Sequence, residues 1–358
     1  MTSRDAWLDN AKMALVTLVV VGHAWTLLPD LAVNEWLYDF LYAWHVPAFV
    51  LVTGYLSRNF TWTRSRLLSL VTTVAVPYVV FESLMSLYRM RVGGEHLEDV
   101  FADPHWPLWY LAALFLWRLA TPALRSTPWM IPVSVAVSLA GGVFAGELLD
   151  LSRVLGFLPF FALGVHATPE RLAVLARPRL RPVAVGVLVG VAGLAAFTDR
   201  LASTEWLYYR SRYADLGAGA LEGAATRGVL LVIGLAAALS FLALVPRRAG
   251  WFSQMGTWTL VVYLFHGFAV KTAAYAGFDD WSDAHPLVSL PLTTALATGL
   301  ALLLAAGPVA RRLTTVVDPY GAILRATEPR RRPVPTPGQA AAPTPESARE
   351  REPVGASR

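Results

Sequence analysis

About ten stretches of mainly apolar residues recur along the chain, near 11–28, 37–56, 67–88, 107–121, 129–145, 154–165, 183–197, 229–245, 257–274 and 287–308. A hydrocarbon core of about 30 Å takes roughly 20 helical residues to cross. Backbone polar groups inside it are satisfied only within helices or closed barrels. The pattern therefore predicts an all-α, polytopic integral membrane bundle of about ten transmembrane helices. The fourth and sixth runs are short and call for tilt or local thinning. Composition agrees, because only 15% of the 358 residues are charged and 55% are hydrophobic, whereas soluble domains carry about 25% charged residues. With no cysteine, disulfides, thiolate catalysis and zinc–sulfur sites are excluded.

The loops between the runs give an orientation. One set carries Arg58, Arg64 and Arg66; Arg118 and Arg125; Arg171, Arg177, Arg179 and Arg181; Arg247 and Arg248; then Arg311 and Arg312. The other set carries Asp30, Glu35 and Asp39; Glu95, Glu98, Asp99 and Asp103; Glu147 and Asp150; then Asp279, Asp280 and Asp283. Arginine marks the cytoplasmic side, so both termini are expected there, with the protein in the plasma membrane. The net charge of +5 is then a property of the inner loops and not a sign of nucleic-acid binding. The membrane domain is expected to fill 1–318. Residues 319–358 are rich in Pro, Ala, Arg and Glu and read as a disordered cytoplasmic tail. In the long outer loop at 198–227, Trp206, Tyr208, Tyr209 and Tyr213 read as interface anchors or as a platform for stacking on a sugar, the anchor role being favoured.

Ionisable groups inside the membrane are expensive and mark functional sites by default. The first run has two, Lys12 and His23. Eleven helical positions bring them back to one face, about 16 Å apart. At about 1.5 Å per residue, His23, His45, Glu82 and His266 all fall between the midplane and the outer leaflet. Each also has a plain structural role open to it. His45 could bond a carbonyl freed at Pro47, Glu82 could be protonated and packed, and His266 could be structural. The functional alternative is a general base, His23, oriented by Glu82 or another buried partner. Arg58, Arg64 and Arg66 either fix topology or, with Lys12, hold a phosphorylated donor. Histidine spacing matches no metal site, and there is no P-loop.

Several segments together resemble acyltransferase family 3, and within it the fucose 4-O-acetylase-like branch. Lys12 and His23, with ten positions between them and Asp9 before, are similar to its opening basic–histidine pattern. His45-Val46-Pro47-Ala48-Phe49 through Gly54-Tyr55, Arg64 and Arg66 leading to Val76-Pro77-Tyr78, and Trp106-Pro107-Leu108-Trp109-Tyr110-Leu111 resemble later signatures. Leu158-Pro159-Phe160-Phe161-Ala162-Leu163-Gly164 and Tyr263-Leu264-Phe265-His266 complete an ordered set over most of 5–310. The resemblance implies transfer of an acyl group, usually acetyl, from cytoplasmic acyl-CoA to a hydroxyl of an extracytoplasmic carbohydrate or glycoconjugate. It implies that His23 is catalytic and that Lys12 serves the donor. The competing class is a proton-coupled transporter or flippase using the buried His and Glu as a relay.

Overall fold

The computed structural model describes residues 5–98, 100–104, 106–146, 148–197 and 203–317. The chain divides into two units, Met1–Asp318 and Pro319–Arg358. The tail expected at 319–358 lies outside the described residues. Among those described there is no β-strand. The helices are α1 (Ala6–Ala24), α2 (Ala32–Tyr42), α3 (His45–Ser57), α4 (Arg64–Leu70), α5 (Val76–Arg91), α6 (Trp109–Leu124), α7 (Met130–Phe144), α8 (Leu151–Gly156) and α9 (Leu158–His166). They continue with α10 (Pro169–Val174), α11 (Leu180–Ala195), α12 (Thr204–Tyr208), α13 (Ala220–Leu244), α14 (Trp251–Met255), α15 (Thr259–Tyr275), α16 (Phe278–Ala284), α17 (Pro286–Ala305) and α18 (Gly307–Val317).

All ten apolar runs are helical, but not equally long. Among the described residues, five helical segments are long and apolar enough to cross a membrane, rising to seven if the bent pairs Leu148–Gly156 with Leu158–His166 and Thr259–Tyr275 with Phe278–Ala284 each count as one. Helices α6, α7 and α11 have 16, 15 and 16 residues, about 22–24 Å of rise, short of a full hydrocarbon core.

Helix α1 is the axis of the bundle. Asp5 caps it by accepting the Trp7 N–H at 3.0 Å, and no Gly or Pro interrupts it before Gly22. Trp7, Ala11, Met13, Leu15, Val16 and Val20 are all buried, as expected of a helix that is apolar around its circumference. It packs against α3, α14, α15 and α17. Beside it, α3 and α9 meet backbone to backbone. A Cβ on Gly54 would stand 2.2 Å from the Phe161 carbonyl oxygen, and one on Gly164 would stand 2.1 Å from that of Leu51. This is the small-residue contact by which membrane helices approach closely.

Proline breaks two of the runs. The chain leaves helical geometry at Trp44, between α2 and α3, three residues before Pro47. Between α4 and α5 the turn Val71–Ala75 widens to a π-helix just ahead of Pro77, which lacks the N–H a regular turn would use. The first break places His45 at the start of α3, where it lines the same cavity as His23 near the C-terminal end of α1.

Candidate functional site

His23 lies in the last turn of α1, and its Nδ1 is 2.8 Å from Nε2 of His266 on α15. The two rings are nearly coplanar, 15° apart. The hydrogen bonds fix the tautomers. Nδ1 of His266 faces the carbonyl oxygens of Tyr263 at 2.7 Å and Val262 at 3.2 Å, and carbonyls only accept, so this nitrogen carries the proton. In the neutral ring Nε2 is then an acceptor, and His23 must donate to it through Nδ1. The basic nitrogen of His23 is therefore Nε2. Trp106 packs on the same ring, with centroids 4.6 Å apart.

His23 lines a cavity of about 270 Å³. Its walls are largely aromatic: Tyr38 and Tyr42 from α2, Phe49 from α3, Trp106 just ahead of α6, Trp109 and Tyr110 from its start, Phe157, Tyr208 and Tyr263. His45 lines it too. Its Nδ1–H donates to the Leu41 carbonyl at the break between α2 and α3, 2.7 Å away, which leaves its Nε2 as acceptor. Flat faces with a few polar groups suit a sugar ring, which stacks its C–H face on an aromatic ring and bonds through its hydroxyls. Toward Lys12, Val19 touches the cavity while Val16, three residues earlier on α1, is fully buried.

Sequence reading missed Arg153, which lines the cavity and pairs with the buried Asp150 at 3.3 Å. Arg210 stands 3.7 Å from the other oxygen of Asp150. Among the described residues, the non-glycine positions with positive φ are Leu149, Asp150 and Tyr209, at 51°, 52° and 56°, so they are Asp150 itself and the neighbours of Asp150 and Arg210. Backbone held in that region costs energy and gathers at functional sites. The available signal was an Arg beside an Asp at i,i+3, next to the apolar run at 154–165. The aromatics expected in the 198–227 loop divide in a way the anchor reading did not foresee. Tyr208 enters the cavity wall, while Trp206, Tyr209 and Tyr213 are buried. The last two lie under the Arg227 guanidinium at 5.5 and 4.8 Å.

The remaining candidates stand apart. Glu82 is fully buried on α5, within electrostatic range of Tyr78 and Tyr263, and is not part of this cavity's lining. His266, and not Glu82, holds the His23 ring. Lys12 pairs with Asp9 at 2.7 Å. The α1 terminus around it is pinned by Asn10, whose amide donates to the carbonyls of Pro246 and Arg248 at 2.9 and 3.0 Å. Arg58 lies over the Tyr55 ring at 3.8 Å and donates to the Tyr55 carbonyl. Arg125 donates to the Arg58 carbonyl, and Arg118 to the Ser57 hydroxyl. Arg64 and Arg66 are exposed on α4. Lys271 reaches Glu95 at 3.2 Å and stands 5.9 Å from the Trp106 ring. Glu95 also accepts from Arg89 and Tyr275. Partial burial raises the Glu95 carboxyl, but these donors outweigh it and hold the pKa down at about 2.

A helical membrane bundle with a histidine pair at an aromatic cavity is the class this geometry defines. The acyltransferase domain family matches residues 5–306, and the chain belongs to that family, acyltransferase family 3. It is similar to the nodulation protein NolL of Mesorhizobium japonicum (strain LMG 29417 / CECT 9101 / MAFF 303099), at 28% identity over 180 residues. That alignment covers 45% of this chain and 47% of NolL, so the match spans about half of the relative's length. No solved structure matches the chain.

Proposed function

We propose that this acyltransferase is a plasma-membrane O-acyltransferase of the fucose 4-O-acetylase-like branch. In this reading ten spans place both termini in the cytoplasm, and the acyl group, acetyl in the first instance, passes from cytoplasmic acyl-CoA to a hydroxyl of an extracytoplasmic carbohydrate or glycoconjugate. The observation that carries the proposal is the His23–His266 pair at the aromatic cavity. His23 Nε2 takes the proton of the acceptor hydroxyl as its oxygen attacks the thioester carbonyl. The C–S bond breaks, CoA leaves as thiolate, and the imidazolium returns the proton to it. His266 Nε2, an acceptor throughout, stabilises the positive ring through Nδ1–H and keeps it from turning. Arg153 and the aromatic walls position the acceptor.

On the donor side, Lys12 and the arginines Arg58, Arg64 and Arg66 would take the phosphates of CoA. The pantetheine arm must then cover about 16 Å of helix rise from Lys12 to His23. Because Val16 is buried on that path, the side chains around Val16 and Val19 have to part when the donor enters. Direct transfer requires both substrates bound together and gives sequential kinetics, whereas acyl-His23 as a covalent carrier gives ping-pong kinetics.

The test is transfer of labelled acetyl from acetyl-CoA by membranes containing the protein, with surface glycans and secreted glycoconjugates analysed by mass spectrometry. His23→Ala should abolish the label. Label at the wild-type level on the same acceptor in that variant would overturn the proposal. Accumulation of an unmodified solute in sealed vesicles, with no acetyl transfer, would favour the transporter instead.

A further inference from the structure

Attack on a thioester carries negative charge onto the carbonyl oxygen, and donors aimed at that oxygen are worth most where water is excluded. Neither histidine on the wall of the His23 cavity supplies one, because His23 and His45 both present Nε2 as an acceptor. Most of the hydroxyls there are spent elsewhere. Tyr263 donates to the Pro107 carbonyl at 2.7 Å, Thr26 to the His23 carbonyl at 2.7 Å, and Tyr208 to the Tyr38 hydroxyl at 2.9 Å. Tyr38 bonds on to Tyr42, and Tyr110 is paired with Thr53 at 2.6 Å. Among the described residues, the side-chain donors left on the wall are the Tyr42 hydroxyl, the indoles of Trp106 and Trp109, and the guanidiniums of Arg153 and Arg210.

Of the two guanidiniums, Arg153 is the enclosed one, its side chain 15% exposed against 40% for Arg210. It lies over the Trp109 ring, 5.0 Å from the centroid, and is within electrostatic range of His23 and Tyr42. Its Nη1 donates to Asp150 at 3.3 Å, which uses one of the five N–H groups of the fork. Asp150 is itself buried and heads α8 in left-handed backbone, one turn before Arg153. A carboxylate so placed fixes the direction of the guanidinium. It also offsets the repulsion that a lone cation would exert on an imidazolium forming at His23. An ionised donor bonds about twice as strongly as a neutral phenol or indole.

We propose that Arg153 is the oxyanion donor of the transfer, with Asp150 as the positioning residue that aims it. This rests on the reading that His23 is the base and that the thioester carbonyl reaches its cavity. As the hydroxyl oxygen bonds the carbonyl carbon, its proton passes to His23 Nε2 and the C=O pair moves onto oxygen. The Arg153 N–H groups hold that oxygen. The pair then returns, the C–S bond breaks, and the thiolate leaves with the proton from His23. Arg153 thus acts on the donor's carbonyl and not only on the acceptor.

The test uses the full chain in nanodiscs. Arg153→Gln should lower kcat about 10²–10³-fold, with the KM of donor and acceptor each kept within about threefold. Arg153→Lys, which retains the charge, should lose less, as should Tyr42→Phe. Methylguanidinium should restore part of the rate to Arg153→Ala and none to His23→Ala. The second measurement needs no turnover: infrared spectra of a ketone analogue of acetyl-CoA, with CH2 in place of sulfur and carbon-13 in the carbonyl. Its bound C=O stretch should fall to lower wavenumber in the wild-type protein and in His23→Ala, fall less in Asp150→Asn, and return to the solution value in Arg153→Gln. Loss of the base and loss of the oxyanion donor are thereby read separately. An unshifted carbonyl in the wild-type protein, or a shift that survives Arg153→Gln, would overturn the proposal. So would a raised acceptor KM with kcat kept, which would make Arg153 a binding group alone.

Discussion

The two ends of α1 are built on opposite plans. Around His23 the polar groups are locked: ring to ring, ring to carbonyl, and Trp106 across the face. Around Lys12 and Arg58 the cations are only lightly held, by a carboxylate one turn away or by backbone carbonyls, and Arg64 and Arg66 project into the open. Chemistry at a nitrogen needs a fixed tautomer and direction, whereas a phosphate can be met by charges that close upon it. The difference fits the proposed division, with reaction at one end and donor capture at the other.

Mutations at the two ends should separate these roles. The largest effect is expected from His23→Ala, with transfer falling about 10²–10⁴-fold at saturating donor. A smaller loss would mean that the locked end is not the reacting end. His266→Ala should follow with about a 10- to 100-fold fall in kcat, the range for losing the partner that orients a histidine. Donor KM should move little. Because Glu82 does not hold the ring, Glu82→Gln should cost transfer less than His266→Ala, as measured in the same assay. Lys12→Ala should behave in the opposite sense, raising donor KM about tenfold with kcat nearly kept. An unchanged KM would remove Lys12 from donor capture.

The smallest effect concerns Glu95, whose carboxyl ties α5 to α15 near Trp106. Its folded pKa of about 2 lies below the ordinary carboxylate value. Its contribution is therefore present in full above that ordinary value and fades as pH falls toward 2. Glu95→Gln should cost no more than about 1 kcal/mol at neutral pH, since the site is partly solvated. Thermal melts of the two proteins in nanodiscs should converge on acidification. A gap that widened instead would place the stabilisation elsewhere.

The helical membrane class was legible because lipid enforces it: apolar runs of that length have no other way to satisfy their backbone. Span number was less legible, since 15- and 16-residue helices such as α7 and α11 announce apolarity but not how they meet the bilayer faces. The stripe joining Lys12 and His23 followed from helix periodicity alone. His266 could be placed at the right depth, yet its contact with His23 joins residues 243 apart in sequence, and no local pattern encodes it. Glu82 shared that depth but not the cavity, because depth along a helix says nothing about which way the side chain turns. Arg153 and Tyr38 went unnoticed for a related reason: their roles arise where broken helices and the 203–217 segment fold over the cavity.

The most direct measurement is the tautomer of His23, by nitrogen-15 NMR of the histidine-labelled protein, with His23→Ala used to assign the signal. The expected spectrum shows Nδ1 protonated and Nε2 bearing the lone pair in the neutral ring. A neutral His23 protonated at Nε2, with Nδ1 free, would contradict the hydrogen-bond chain from the Tyr263 carbonyl through His266 and would take away the base on which the chemistry depends.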